Sequence, residues 1–209
     1  MRAQLTLVVL LASLPVSAQY VANPQTGVTY PQLTSATPIV LTAPGTQDPK
    51  DWGRANVQLG FNFPFYSRVY SQVTVTANGV LFFEPSSGAN SSSSFPTNDP
   101  IPSGAEPNGL VAPLWDDLNG SNTTSVLQRQ AISGSNGQGL AIEFKDWSRW
   151  PAGYFLTFQV RLWQNGVIEF YYGTMTGMGP GTVSASIGIE SPTGTAGTRG
   201  LAACNTECS

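Results

Sequence analysis

The chain has 209 residues, of which 10% are charged, and its formal net charge is −3. It contains no histidine, so the commonest general base and transition-metal ligand is missing. It also has no basic run, which argues against nucleic-acid binding, because that needs a positively charged surface opposite the phosphates. With so few charges, the 22 glycines and 16 prolines are typical of an all-β extracellular domain.

The first 18 residues predict a cleavable secretory signal peptide. Arg2 gives a positive start, residues 5–14 form a short apolar core, and residues 16–18 (Val-Ser-Ala) form a small-residue cleavage site. An uncleaved membrane anchor is the alternative, but the core is too short to span a bilayer. No later run is apolar enough to be a transmembrane segment. We therefore expect a protein that is secreted or associated with the cell surface.

Composition divides the rest of the chain into three parts. Residues 19–37 predict an extended N-terminal arm, residues 38–190 a β-sandwich domain, and residues 191–209 a C-terminal tail. Cys204 and Cys208 lie in the tail, and in an oxidising compartment they predict a disulfide that closes a small loop. A zinc site would need further Cys or His ligands, and the sequence has none.

Apolar residues of the domain alternate with polar ones in short runs that Gly, Pro, Asn and Ser turns separate, as in half-buried strands. This pattern predicts roughly nine to eleven strands, no convincing helix, and an antiparallel, jelly-roll-like β-sandwich. A long connection, residues 84–108, is left open between a functional loop and a surface decoration.

Residues 154–172 predict a long β-hairpin whose register follows from its two faces. A two-residue Asn-Gly loop would mix apolar and polar residues on each face. A three-residue loop, with its glycine in the left-handed conformation, places Leu162 opposite Ile168 and Arg161 opposite Glu169. We therefore predict the three-residue loop, an apolar inner face, and an ion pair between Arg161 and Glu169 on the outer face.

A second hairpin spans residues 69–83, and the sequence does not decide its register. Val73 and Val75 lie on one face of its first strand. Depending on the loop length, they share that face either with Val80 and Phe82 or with Leu81 and Phe83.

Several ordered segments carry a family resemblance. They are GFNFPFY at residues 60–66, VTVTANG at 73–79, NGLVAPLWDDL at 108–118, GVIEFYY at 166–172 and SIGIE at 186–190. Together they resemble a β-sandwich module of secreted bacterial proteins that is often found beside subtilisin-like proteases and adhesive repeats. They are more distantly similar to the extracellular nidogen-like domain. The resemblance covers residues 38–190 and implies an accessory, non-catalytic module.

Asp116 and Asp117 are the carboxylates most suggestive of a site. If the preceding strand ends at Trp115, both can turn toward one site and bind Ca²⁺ through oxygen ligands. The structural alternative is that they accept hydrogen bonds from loop amides. A glycosidase pair with Glu143 or Glu190 is the enzymatic alternative, although no spacing in the sequence fixes the distance between the carboxylates.

Trp147, Arg149, Trp150 and Tyr154 flank a Pro-Ala-Gly turn before the long hairpin. Exposed aromatic residues on a loop stack on sugar rings or anchor a protein partner. The alternative is that they cap the open end of the sandwich.

These observations predict a secreted, non-catalytic binding, adhesion or surface-structural module. Its partner would be an extracellular protein or glycan, and it would need no cofactor. The alternative from a different class is a carbohydrate-active enzyme or a Ca²⁺-dependent carbohydrate-binding protein centred on Asp116 and Asp117.

Overall fold

A computed structural model of the chain describes residues 5–10 (as backbone), 20–83, 95–150, 153–177 and 184–199. Almost all of the regular structure is β. The strands are β1 (Leu5–Leu10), β2 (Val21–Thr26), β3 (Thr37–Pro38), β4 (Arg54–Phe65), β5 (Arg68–Thr76), β6 (Leu81–Phe82), β7 (Leu110–Trp115), β8 (Leu118–Asn119), β9 (Val126–Gly134), β10 (Gly137–Arg149), β11 (Phe155–Trp163), β12 (Ile168–Thr176), β13 (Ser186–Glu190) and β14 (Gly197–Arg199). One short helix, α1 (Pro49–Trp52), begins where the side chain of Asp48 accepts a hydrogen bond from the Lys50 amide.

The strands form two antiparallel sheets, which confirms the predicted β-sandwich. The first sheet has eight strands in the order β2-β1-β12-β11-β10-β9-β3, with β8 paired to β10. The second has six strands in the order β14-β13-β7-β6-β5-β4. The described residues hold more strands than the nine to eleven predicted. The additions include two- and three-residue strands, which are too short to show a periodicity, and β1 and β2, which lie in segments that were expected to contain no strand.

The β11–β12 hairpin has the predicted register. Leu162 pairs with Ile168, and Arg161 pairs with Glu169. The loop is closed by a hydrogen bond from the Trp163 amide to the Val167 carbonyl, 3.0 Å long. Gly166 has φ +89°, the left-handed conformation that the three-residue loop requires.

The predicted ion pair between Arg161 and Glu169 is wrong, although the two residues face each other. Arg161 donates from Nε to Gln159 (2.6 Å), and its guanidinium lies 5.1 Å from the ring centre of Tyr171. Glu169 instead accepts a hydrogen bond from the Tyr171 hydroxyl. On the outer face of this sheet, Arg161 therefore contacts an amide oxygen and an aromatic ring in place of the Glu169 carboxylate.

The apolar core lies between the inner faces of the two sheets. In the second hairpin Val75 pairs with Leu81, so Val73 and Val75 share the core with Leu81 and Phe83. In the first sheet, the rings of Phe144 and Phe158 stack with 4.6 Å between their centres.

A second, smaller apolar cluster covers the outer face of the six-stranded sheet. It comprises Val80, Phe82, Ile101, Leu110, Ala112 and Trp115, with Phe95 packed against it. The indole nitrogen of Trp115 donates to the carbonyl of Phe95 (2.8 Å). The described part of the long connection, residues 95–108, is therefore packed against the sheet.

The N-terminal arm covers part of the outer face of the eight-stranded sheet. Tyr30 is 7% exposed, and its hydroxyl donates to the Glu143 carboxylate of β10 (2.8 Å). Further along the arm, the amides of Thr34 and Ser35 donate to the side chain of Gln130 at 2.9 and 2.7 Å. Both faces of the sheet are thus buried in places, with an apolar layer inside and a polar layer outside.

The two ends of the chain contain strands that the sequence did not predict. In the first segment, β1 pairs with β12 on one side and β2 on the other. In the tail, β14 pairs with β13. Cys204 and Cys208 lie outside the described residues. Within those residues no helix is long and apolar enough to cross a bilayer.

Candidate functional site

The predicted aromatic loop joins the end of β10 to the start of β11. Trp150 is 64% exposed and Phe155 is 42% exposed, so two large apolar side chains face solvent at this end of the sandwich. The backbone amide of Trp150 donates to the carbonyl of Asp117 at 2.8 Å. This hydrogen bond ties the exposed indole to the strand end beside it.

Trp147 does not contribute to this exposed surface. It is fully buried, its indole nitrogen donates to the Ala77 carbonyl at 2.8 Å, and its ring meets Phe144 edge-on. A Cβ on Gly120 would lie 2.7 Å from the Trp147 ring, so only glycine fits there without movement. Trp147 therefore closes the end of the sandwich, which is the structural alternative that the sequence left open.

A β-bulge explains why Trp147 points inward. The pairing of β10 with β11 shifts register between Phe144 and Trp147, and Asp146 within the shift has φ +52°. The inserted residue turns Trp147 to the same face as Phe144, although strict alternation would place them on opposite faces. The Asp146 carbonyl accepts hydrogen bonds from Asn122 (2.8 Å) and Ser125 (2.6 Å), which hold the bulge.

Arg149 and Tyr154 support the loop. Arg149 donates from Nε to Asp116 (2.7 Å) and from Nη1 to the Trp150 carbonyl (3.3 Å). Tyr154 is half-buried against the core, and its carbonyl accepts a hydrogen bond from the Asn122 side chain. Both residues therefore position the backbone around Trp150.

Asp116 and Asp117 have different surroundings. The Asp116 side chain is 3% exposed and accepts from the Arg149 guanidinium, from the amide and hydroxyl of Ser184, and from the Asp117 amide. Asp117 is half-buried. Burial is the main cause that raises the pKa of Asp117 above its ordinary value. The nearby charges of Asp51 and Asp116 raise this pKa further, and the cation of Arg149 lowers it.

The contacts of Asp116 leave it little capacity to bind a Ca²⁺ ion. The oxygens of Asp116 are already used by four hydrogen bonds, one of them from a cation. Within the described ranges, no group of three or more His, Cys, Asp or Glu residues could hold a metal ion. The geometry favours the structural alternative, in which Asp116 organises the loop.

The two glutamates of the enzymatic alternative lie in different sheets. Glu143 is on the outer face of β10, where Tyr30 covers it, whereas Glu190 ends β13. Glu190 is buried; it accepts from the Ser103 amide (2.5 Å) and, in the orientation that satisfies the Asn108 amide, from Asn108 (2.8 Å).

Burial raises the pKa of Glu190 to about 7, the charges of Glu106 and Asp99 add to the shift, and the Ser103 hydrogen bond opposes it. Because the folded pKa lies above the ordinary value of 4.5, the stabilising contribution is complete below pH 4.5 and is lost as the pH rises through about 7. We expect the free energy of unfolding to fall by roughly 2 kcal/mol from this group between about pH 5 and 8. Glu190→Gln should flatten that slope in urea titrations, and an unchanged slope would contradict this assignment.

The sequence did not reveal a polar cluster beneath the arm. Around Glu143, hydrogen bonds come from Tyr30 (2.8 Å), Gln128 (2.5 Å) and Gln159 (3.3 Å). Burial is the main cause that raises the pKa of Tyr30, and the adjacent carboxylate of Glu143 raises it further. The Tyr30 hydroxyl therefore stays protonated and donates. Polar residues at alternate positions of β10 and β11 are read as solvent-facing, and no local pattern predicts that the arm covers them.

Comparison with known proteins places the chain in a family. A search of curated proteins and a search of solved structures each returned no match. A family profile described as NIDO related matches residues 19–207. This match spans almost all of the chain and agrees with the resemblance to the nidogen-like domain that the ordered segments indicate. The chain therefore belongs to the nidogen-related family.

Proposed function

We propose that the protein is a secreted, non-catalytic binding or adhesion module that contacts an extracellular protein or glycan through one end of the sandwich. The contact surface, called here the Trp150 surface, comprises Arg149, Trp150, Tyr154 and Phe155. The observation that carries the proposal is the 64% exposure of Trp150 on a backbone fixed by hydrogen bonds. A large apolar side chain exposed on a rigid support is typical of a binding hot spot.

The surroundings of Trp150 support this role. Arg149 is held by the buried carboxylate of Asp116, and it also donates to the carbonyl of Trp150. The backbone at Trp150 is therefore set before any partner arrives, which lowers the entropy lost on binding. Phe155 extends the exposed apolar area at the start of β11.

Export supports an extracellular partner. We infer cleavage of the signal peptide near Ala18, and the family match begins at residue 19. Cleavage would remove β1 from its place between β12 and β2. The mature chain would then have an unpaired edge at β12, where Tyr171, Phe170, Glu169 and Ile168 pair with β1 in the uncleaved chain.

The absence of catalysis is supported by the chemistry of the carboxylates. The sequence has no histidine to serve as a base, and Asp116 is engaged with Arg149. Glu143 and Glu190 belong to separate sheets. Non-catalytic function also agrees with membership of the nidogen-related family and the all-β fold.

Trp150→Ala is expected to weaken binding at least tenfold, because an exposed tryptophan anchor contributes most of the energy of such a contact. The full chain would be applied to a glycan array and to a panel of immobilised extracellular proteins. Its melting temperature should stay within about 2 °C of the wild-type value, because surface substitutions change stability little.

Val40→Ala is the matched control, since Val40 is apolar and 79% exposed outside the Trp150 surface. It should leave binding unchanged. If a glycan or protein binds the wild type and Trp150→Ala equally well, the Trp150 surface is not the contact.

A further inference from the structure

A cavity of about 250 Å³ lies between the N-terminal arm and the outer face of the eight-stranded sheet. Its walls come from the arm and from β9, β10, β11 and β12, and they comprise Tyr30, Gln32, Gln128, Glu143, Lys145, Asp146, Thr157 and Thr174, with Leu33 and Gly173. We propose that this cavity binds a neutral monosaccharide unit through its hydroxyl groups. The site is separate from the Trp150 surface and does not depend on the function proposed for it.

Glu143 has hydrogen-bonding capacity left for such a ligand. Its carboxylate accepts three hydrogen bonds, from Tyr30, Gln128 and Gln159. An ionised carboxylate offers about four acceptor positions, so one remains. The three protein donors fix the orientation of the carboxylate, and a ligand hydroxyl would complete the set.

Other groups around the cavity are available to a ligand. Among the described residues, neither the Lys145 ammonium nor the Asp146 carboxylate takes part in a hydrogen bond or ion pair. The Thr157 oxygen accepts from the Asp146 amide (3.1 Å) and still has its own proton to donate. Donors and acceptors thus surround one small volume.

The arm and the bulge preform the cavity. Gln159 donates to the Pro31 carbonyl (3.2 Å) and Gln130 holds the amides of Thr34 and Ser35, so the arm is fixed on both sides of Gln32 and Leu33. Asp146 has φ +52° in the bulge of β10. Bulges next to binding sites redirect a side chain, and this one places Asp146 in the cavity lining.

The chemistry of the walls favours a polyhydroxylated ligand. Each sugar hydroxyl both donates and accepts, so it matches walls made of amide, hydroxyl and carboxylate groups. The two carboxylates disfavour an anionic ligand, and the single ammonium provides one donor for a ring or hydroxyl oxygen. The volume is below the range of drug-sized pockets, which begins at about 300 Å³, and suits one sugar unit.

Titration of the ¹⁵N-labelled full chain with glucose, galactose and mannose, followed by amide NMR shifts, tests the proposal. At least one hexose should give saturable shifts centred on Gln128, Lys145 and Thr174. Asp146→Asn and Lys145→Gln should each weaken this binding about tenfold, because each removes a charge-assisted hydrogen bond. Asparagine tolerates the left-handed backbone, so the fold should be retained.

Asp48→Asn is the matched control, because Asp48 lies outside the cavity and asparagine is an equally good helix cap. It should leave the affinity unchanged. Shifts that do not saturate with any hexose, or that Asp146→Asn leaves unaltered, would overturn the proposal. Serine is titrated in parallel, and its saturable binding without binding of a hexose would also overturn the proposal, because that would identify a zwitterion site. Trp150→Ala should not affect hexose binding here, so this test stands apart from that of the Trp150 surface.

Discussion

Trp147→Ala is expected to lower the free energy of unfolding by about 3–5 kcal/mol. Trp147 is fully buried between the sheets, and its removal leaves a cavity beside Phe144 and Gly120. The substitution also leaves the Ala77 carbonyl without the hydrogen bond that the indole nitrogen donates. An unpaired buried acceptor costs roughly 1–3 kcal/mol, which contributes to the total.

Urea unfolding followed by far-ultraviolet circular dichroism measures this loss without relying on tryptophan fluorescence. Trp147→Phe separates the two contributions, because it keeps most of the ring and removes the donor. It should cost less than Trp147→Ala. Trp150→Ala, three residues away and exposed, is the control and should change stability by less than about 1 kcal/mol. Equal losses for the two alanine variants would contradict the assignment of Trp147 to the core.

The contrast between the two tryptophans shows where sequence periodicity stops being informative. Alternation of apolar and polar residues predicted the register of β11 with β12 correctly, down to Leu162 opposite Ile168. That prediction worked because the hairpin is continuous and its inner face is apolar throughout. In β10 the bulge at Asp146 breaks the alternation, and no residue type marks its position. Trp147 and Trp150 therefore looked equivalent in the sequence.

The outer faces of the sheets were the other part that periodicity could not predict. Arg161 and Glu169 were expected to form an ion pair in solvent, but their neighbours Gln159 and Tyr171 supply the contacts instead. Tyr30, far away in the chain, covers the same layer and bonds to Glu143. Contacts over such sequence distances leave no local pattern, so the polar cavity could not be predicted.

At the sandwich end, the sequence did not separate residues that organise the loop from residues that face solvent. Arg149 was expected to contact a ligand, which stays a prediction, and in the structure it also joins Asp116 to the loop that carries Trp150. Asp116 was expected either to bind a metal or to organise backbone groups, and its partners fit the second role. Residue types alone do not separate these roles, because a buried carboxylate serves both.

Arg149→Met should lower the free energy of unfolding by about 2–4 kcal/mol, the second large effect that we expect. The substitution removes the only ion-pair partner that Asp116 has among the described residues, and it leaves a carboxylate that is 3% exposed. The side chain of Arg149 is 22% exposed, so water entering its place would recover part of the loss. Urea unfolding of the full chain measures the change.

A double-mutant cycle with Asp116→Asn identifies the cause of the loss. Asparagine keeps one oxygen, which can still accept from the Asp117 amide and the Ser184 hydroxyl, and it removes the charge and the acceptor of the Ser184 amide. Arg149→Met should therefore cost less in the Asp116→Asn background. A coupling of at least about 1 kcal/mol is expected, and additive losses would show that the pair does not interact.

Unfolding in EDTA should match unfolding in Ca²⁺ for every variant. A stability gain from Ca²⁺ that Asp116→Asn abolishes would instead assign this carboxylate to a metal. Arg149 also donates to the Trp150 carbonyl. Arg149→Met should therefore weaken binding at the Trp150 surface in addition to lowering the free energy of unfolding.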